Sequence, residues 1–273
     1  MILGEVITAL TTGFVEIVGL TPVYRIVALA SGVGKTSLGT EIVAHLTQKG
    51  VKLAVVKQTH ERILDELSDA GRYWRAGSST VVVSSPELTL VYHEPFTSLR
   101  EILSVMKYYP LVIAEGFRGS NIGKAIAIVN DPAEINTLIK EEKGLWYIVS
   151  NDMEIVERAK SIGFNALLMY ETEQLAGEIF NDAVRLIASQ FKGEPEVCGV
   201  GSWIELAEKI LQGEIHPYEC PLESPLRIEV NGKPVILDDR MKRIASSILE
   251  AFIMSALELS EKPEKIKIEY KIE

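Results

Sequence analysis

Apolar and polar positions along residues 25–191 follow two alternating periods. Short apolar, β-branched runs suit strands buried on both faces. Stretches with apolar residues three and four apart suit helices with one buried face. Strands are expected at 26–29, 51–57, 80–83, 111–115, 124–129, 145–149 and 166–169, with a further one at 88–92. Helices are expected at 35–48, where Leu38, Ile42, Val43 and Leu46 share a face, and from about Asp69 to Gly77. Others follow at 99–107, closed by Tyr109-Pro110, at 133–142 and at 173–191. This order predicts an α/β fold: a doubly wound, mainly parallel sheet over residues 25–191.

The flanks read differently. Residues 1–24 are apolar and fit a strand or a helical face equally well, so they are taken as an N-terminal extension with no assigned role. After Phe191, Lys192-Gly193-Glu194-Pro195 reads as a linker, and 203–211 as a short amphipathic helix. His216-Pro217 to Cys220-Pro221 is a second break. Asn231-Gly232 between apolar runs at 226–230 and 233–237 predicts a hairpin. A helix at 241–259 and an alternating strand at 265–272 complete a small C-terminal α+β unit, β-β-α-β in order. The division is thus 1–24, 25–191 and 192–273, and removal of 192–273 is expected to leave the main domain's binding nearly intact.

The first strand and helix are joined by Ala30-Ser31-Gly32-Val33-Gly34-Lys35-Thr36-Ser37. A glycine loop between a strand and a helix is a phosphate-binding arrangement. Glycines let the backbone approach a polyphosphate, and the helix N-terminus presents N–H groups to it. Lys35 would reach the β- and γ-phosphates, and the Thr36 hydroxyl would bind Mg²⁺. The pattern G-x-x-x-x-G-K-[ST] is incomplete, because Leu29 stands where its first glycine belongs. A plain turn with a surface lysine is the bland alternative; the flanking strand and helix favour the phosphate loop.

Other candidates fall at strand ends, where such sheets bind ligands. Lys57 and His60 follow the second strand. Asp69, Arg72 and Arg75 lie in the next segment. They are either a solvated helix face or a switch-like element that brings a carboxylate to Mg²⁺ and arginines to an anion. Glu115 ends an apolar strand, the second mark of a phosphate-loop fold, where an acid completes the Mg²⁺ shell or orients the attacking water. Asn151 and Asp152 could read a base edge, but no Asn-Lys-x-Asp motif supports them.

Charge and composition narrow the function. The formal net charge of −10 argues against nucleic acid as a partner. Cys198 and Cys220 are too few for a disulfide scaffold or a four-thiolate zinc site; they could pair or be two of several ligands, and buried free thiols are the plainer reading. No apolar run reaches the roughly 18 residues of a membrane span, so a cytoplasmic protein is the default.

In combination, Ser31-Gly32-Val33-Gly34-Lys35-Thr36, Val56-Lys57-Gln58-Thr59-His60, Asp69 with Arg72, Ala76-Gly77 and Glu115-Gly116-Phe117-Arg118 resemble the molybdopterin-guanine dinucleotide biosynthesis protein B (MobB) family over about residues 25–191. The resemblance implies a GTP-binding phosphate-loop protein with weak GTPase activity. Such a protein assists a partner guanylyltransferase (MobA-like) in joining GMP to molybdopterin, and is expected to be a homodimer. It places GTP and Mg²⁺ on Ser31, Gly32, Val33, Gly34, Lys35, Thr36 and Ser37, with Lys57, His60 and Arg72 beside them. Glu115 and Asp69 would be the catalytic acids, and Thr36 and Glu115 the metal ligands. Gln58 replaces a histidine of the family's Lys-His-x-His-like run, which puts a two-histidine role in doubt. Arg118 stands for the lysine of its Glu-Gly-Phe-Lys. Two other readings share these residues: an ATP-dependent small-molecule kinase or ligase, and a binding protein whose loop does not hydrolyse nucleotide.

Overall fold

The computed structural model describes residues 21–59, 68–93, 95–96, 98–106, 109–191 and 194–215, together with 228–230, 233–235, 244–245 and 248–249. The strands are β1 (Val23–Val27), β2 (Ala54–Lys57), β3 (Thr80–Ser84), β4 (Thr89–His93), β5 (Val112–Glu115), β6 (Lys124–Ile128), β7 (Leu145–Ser150), β8 (Asn165–Leu168), β9 (Ile228–Val230) and β10 (Lys233–Val235). The helices are α1 (Lys35–Gln48), α2 (Asp69–Arg75), α3 (Leu99–Val105), α4 (Pro132–Glu141), α5 (Met153–Ser161), α6 (Thr172–Ala188) and α7 (Trp203–Leu211).

Six strands form one parallel sheet in the order β2-β5-β1-β6-β7-β8. Every residue of β1 is buried, as a central strand covered on both faces requires. Tyr24 and Ile26 point into a core shared with α1, α6 and α7. Val23 and Val27 point the other way, toward α3 and toward α4 with α5. The sheet is therefore doubly wound, as the hydrophobic pattern predicts.

Four local features depart from expectation. β1 begins at Val23, ahead of the apolar run at Ile26. Helix α5 is unforeseen; Asp152 caps it by accepting from the Glu154 N–H at 2.8 Å, and Ile155, Val156 and Ala159 bury one face. β3 and β4 stay out of the main sheet and pair only with each other, with Val82 60% and Val91 59% exposed. Cys198 is disulfide-bonded rather than a free thiol, and Cys220 lies outside the described residues.

Helix α7, beyond Phe191, packs on the main domain. Leu206, Ala207, Ile210 and Leu211 are buried in the same core as α1 and α6. The Trp203 ring stacks on Phe191 at 5.4 Å, and the Lys52 N–H donates to the Leu211 carbonyl at 2.7 Å. β9 and β10 pair antiparallel with Val230 opposite Lys233, the register of the expected hairpin. Residues 244–245 and 248–249 are helical. The remainder of the expected helix at 241–259 and the strand at 265–272 lie outside the described residues.

At the edge remote from the glycine loop, the buried Tyr24 hydroxyl donates to Asp182 Oδ2 at 2.8 Å, and Lys124 Nζ donates to Oδ1 at 2.7 Å. Burial first, then the Asp182 carboxylate, push the Tyr24 phenol above its ordinary value.

Candidate functional site

The site lies at the carboxyl ends of β1, β2 and β5, three neighbouring strands. β1 feeds the loop 28–34, which turns through two left-handed glycines, Gly32 at φ 73° and Gly34 at φ 96°. A side chain at Gly34 would also meet Met169 Cε at 3.1 Å. Leu29 is the only departure from the motif, and the backbone there is not left-handed, so no glycine is needed. Its side chain instead packs beside the core under α4 and α5 and anchors the loop's start.

Helix α1 follows directly, with Gly34 at its N-cap. No side chain caps it and no acid sits in its first turn. Its first N–H groups and positive dipole end are left for an anion. Lys35 Nζ folds back to the Ala30 carbonyl at 2.9 Å, across the mouth of the loop. Ser31, Gly32, Thr36 and Ser37 are exposed, while Val33 packs against the core.

Thr36 and Glu115 meet, although they are 79 residues apart in the chain. The Thr36 hydroxyl lies 3.0 and 3.1 Å from the two Glu115 carboxylate oxygens. Lys57 is the cross-strand neighbour of Glu115. Its Nζ lies 3.2 Å from Thr36 Oγ1 and 3.3 Å from Glu115 Oε1. A hydroxyl and a carboxylate beside a phosphate loop suit Mg²⁺, which takes one or two protein oxygens and fills its shell with water and phosphate oxygens. Among the described residues no group of three or more His, Cys, Asp or Glu side chains could hold a metal ion.

The turn after Glu115 is tightly held. Gly116 has φ 95°, and Phe117 has φ 56°, the only left-handed non-glycine among the described residues. Both polar groups of Phe117 are engaged: its N–H donates to Gln58 Oε1 at 2.8 Å, and its carbonyl accepts from Arg25 Nη1 at 3.1 Å. Arg25 is wholly buried in β1 and forms an ion pair with Glu142. It also donates to the carbonyls of Ile122 at 2.7 Å and Lys143 at 2.6 Å, while Glu142 Oε2 accepts from the Gly119 N–H at 2.9 Å. The connection 116–123 joins β5 to β6, which flank β1. One buried ion pair thus fastens that crossing at residues 117, 119 and 122. Left-handed strain of this kind persists only where surroundings over-determine it, and it gathers at functional sites.

The structure brings together the loop residues, Lys57 and Glu115. Asp69 and Arg72 stand apart: they pair with each other at 3.5 Å on the exposed helix α2 and make no bond to Thr36, Lys57 or Glu115 among the described residues. His60 lies outside the described residues. Asp152 serves as the α5 cap. Sequence reasoning missed Arg25, Gln58 and Glu142 as structural supports. A signal was present for Arg25, because an arginine inside an otherwise apolar central strand requires partners.

Residues 23–151 match the family model described as Molybdopterin guanine dinucleotide synthesis protein B. Among solved structures, a molybdopterin-guanine biosynthesis protein B (mobB) aligns at 25% identity, over 58% of this chain and 98% of its own, with a TM-score of 0.46. Bacillus subtilis MobB aligns at 18% identity, over 63% and 99%, with a TM-score of 0.47. A MobB homolog from Bacillus stearothermophilus aligns at 14% identity, over 59% and 97%, with a TM-score of 0.44. No curated protein matches the chain significantly.

Proposed function

We propose, from the match of residues 23–151 to the MobB family model, that the chain is a GTP-binding protein of molybdenum cofactor biosynthesis. It would assist a MobA-like guanylyltransferase in attaching GMP to molybdopterin. The observation that carries the proposal is the meeting of the uncapped α1 N-terminus, Lys35, Thr36 and Glu115 at one rim of the sheet. Ser31 to Gly34 and the α1 N–H groups would wrap the phosphates, with Ser37 in the first helical turn. Lys35 would leave the Ala30 carbonyl for a phosphate oxygen. Thr36 and Glu115 would hold Mg²⁺, which supplies charge neutralisation of the β- and γ-phosphates when bound. Lys57 is close enough to join them, and a role for His60 and Arg72 at the same ligand rests on the family resemblance.

Weak hydrolysis fits this arrangement. Glu115 is engaged by Thr36 and Lys57, and among the described residues no second carboxylate bonds to that group. In this reading Glu115 rather than Asp69 is the working acid, because it meets Thr36 and Lys57 beside the loop. The exposed β3–β4 hairpin is available to a second copy, in keeping with the homodimer that the resemblance implies. No described helix is long and apolar enough to cross a membrane.

The test is reconstitution. A MobA-like guanylyltransferase is supplied with molybdopterin and MgGTP, and GMP incorporation is followed with and without this protein. A raised rate or yield supports the assignment. No effect, together with turnover of ATP onto a small acceptor, would move the kinase or ligase reading ahead.

A further inference from the structure

Lys57 holds the two oxygens that a metal would need. Its ammonium contacts Thr36 Oγ1 at 3.2 Å and Glu115 Oε1 at 3.3 Å, and these are the groups best suited to Mg²⁺. The Lys57 side chain is 51% exposed and that of Glu115 only 14%, so the ammonium covers the carboxylate from the solvent side. We propose that Lys57 is a tethered stand-in for the divalent cation: it keeps Thr36 and Glu115 assembled before nucleotide arrives, and it must be displaced when Mg²⁺ enters. This rests on the nucleotide-binding reading above for its biological meaning, but its physical test does not.

Three features make the exchange feasible. A half-exposed lysine pair is weakly held, since water competes for both charges. The four-carbon stem lets the ammonium swing away while its backbone stays paired in β2. The uncapped α1 N-terminus and Lys35 gather anionic phosphate oxygens at the same rim, which gives the displaced ammonium a new partner. Lys57 would then do two opposed things. It competes with the metal in the free protein, and it contributes to phosphate binding once displaced. The concentration of Mg²⁺ needed for nucleotide binding is set by the balance.

The test compares wild type with Lys57→Met and Lys57→Arg in two titrations. Mn²⁺ binding to the nucleotide-free protein is read by electron paramagnetic resonance. Fluorescent GTP binding is then measured across a series of Mg²⁺ concentrations. Removing the positive charge should tighten Mn²⁺ binding roughly twofold to fivefold, the range of a partly exposed ion pair. It should lower the half-saturating Mg²⁺ by a similar factor, while metal-free GTP affinity falls. Lys57→Arg retains the charge and should bind Mn²⁺ less tightly than Lys57→Met does. Unchanged or weaker Mn²⁺ binding in Lys57→Met overturns the proposal. If wild type binds no GTP, the nucleotide reading fails, and the Mn²⁺ comparison still decides the role of Lys57.

Discussion

Removing Arg25 should unfold this protein more readily than removing any residue of the glycine loop. The side chain is fully buried in the central strand, ion-paired with Glu142, and bonded to the carbonyls of Phe117, Ile122 and Lys143. Arg25→Met matches its length and suits the apolar surroundings, but leaves a buried carboxylate without its cation and takes the Arg25 donor from three carbonyls, of which that of Phe117 keeps the Ser120 N–H at 3.2 Å. Breaking one side of such a pair costs about 3–5 kcal/mol. That is a large share of a total stability that for most domains is about 5–15 kcal/mol. Glu142→Gln leaves the Arg25 charge buried without its carboxylate and sets an NH2 against either Arg25 or the Gly119 N–H, so it should cost a similar amount, about 3–5 kcal/mol. The double variant should be more stable than the sum of the two losses, because the second change removes a charge that the first left stranded. Urea unfolding followed by circular dichroism measures all three, with the slope checked for constancy. An Arg25→Met loss below about 1 kcal/mol, or strictly additive losses, would refute the reasoning.

Other expectations follow from the same geometry. Gln58→Ala frees the Phe117 N–H, should cost about 1 kcal/mol in urea unfolding, and should weaken MgGTP binding more than metal-free GTP binding. Equal weakening of both would mean that the Gly116-Phe117 turn does not aim Glu115. Tyr24 has a phenol raised by burial, so its contribution to stability is complete below the unfolded value of 10.0 and is lost as pH rises above it. Tyr24→Phe should therefore lower stability near neutrality by about 1–3 kcal/mol and flatten the alkaline fall seen by thermal unfolding above pH 10.0. Truncation after Ile215 keeps α7 and should leave GTP affinity within about twofold, since the described site lies within β1, β2, β5 and α1. Truncation after Phe191 strips Leu206, Ile210 and Leu211 from the core and should lower the unfolding midpoint sharply, because each such side chain contributes about 1.5–3 kcal/mol.

What was legible in the sequence was local. The Gly32-to-Thr36 loop and α1 are set by neighbouring residues, so glycine placement and helical period reveal them without any tertiary information. Glu115 was legible because an apolar strand ending in an acid is a short pattern. The Arg25–Glu142 pair was not, since it joins positions 117 residues apart with no shared motif. Residues 80–84 and 89–93 are β-branched and apolar enough to pass for buried strands, and only the structure shows them exposed as a separate hairpin. Helix α5 has just three buried residues in nine, too thin a stripe to stand out from the polar residues around it. For α7 the helix itself was evident, but the core it joins was not, because an amphipathic face does not name its partner.

The loop 31–37, with Lys35, is the proposed GTP site. Calorimetric titration of GTP and of ATP in the presence of Mg²⁺, with wild type beside Lys35→Ala, tests it most directly. GTP should bind in preference to ATP, and binding should be lost in Lys35→Ala while the variant keeps its unfolding midpoint. GTP affinity unchanged in Lys35→Ala would contradict it.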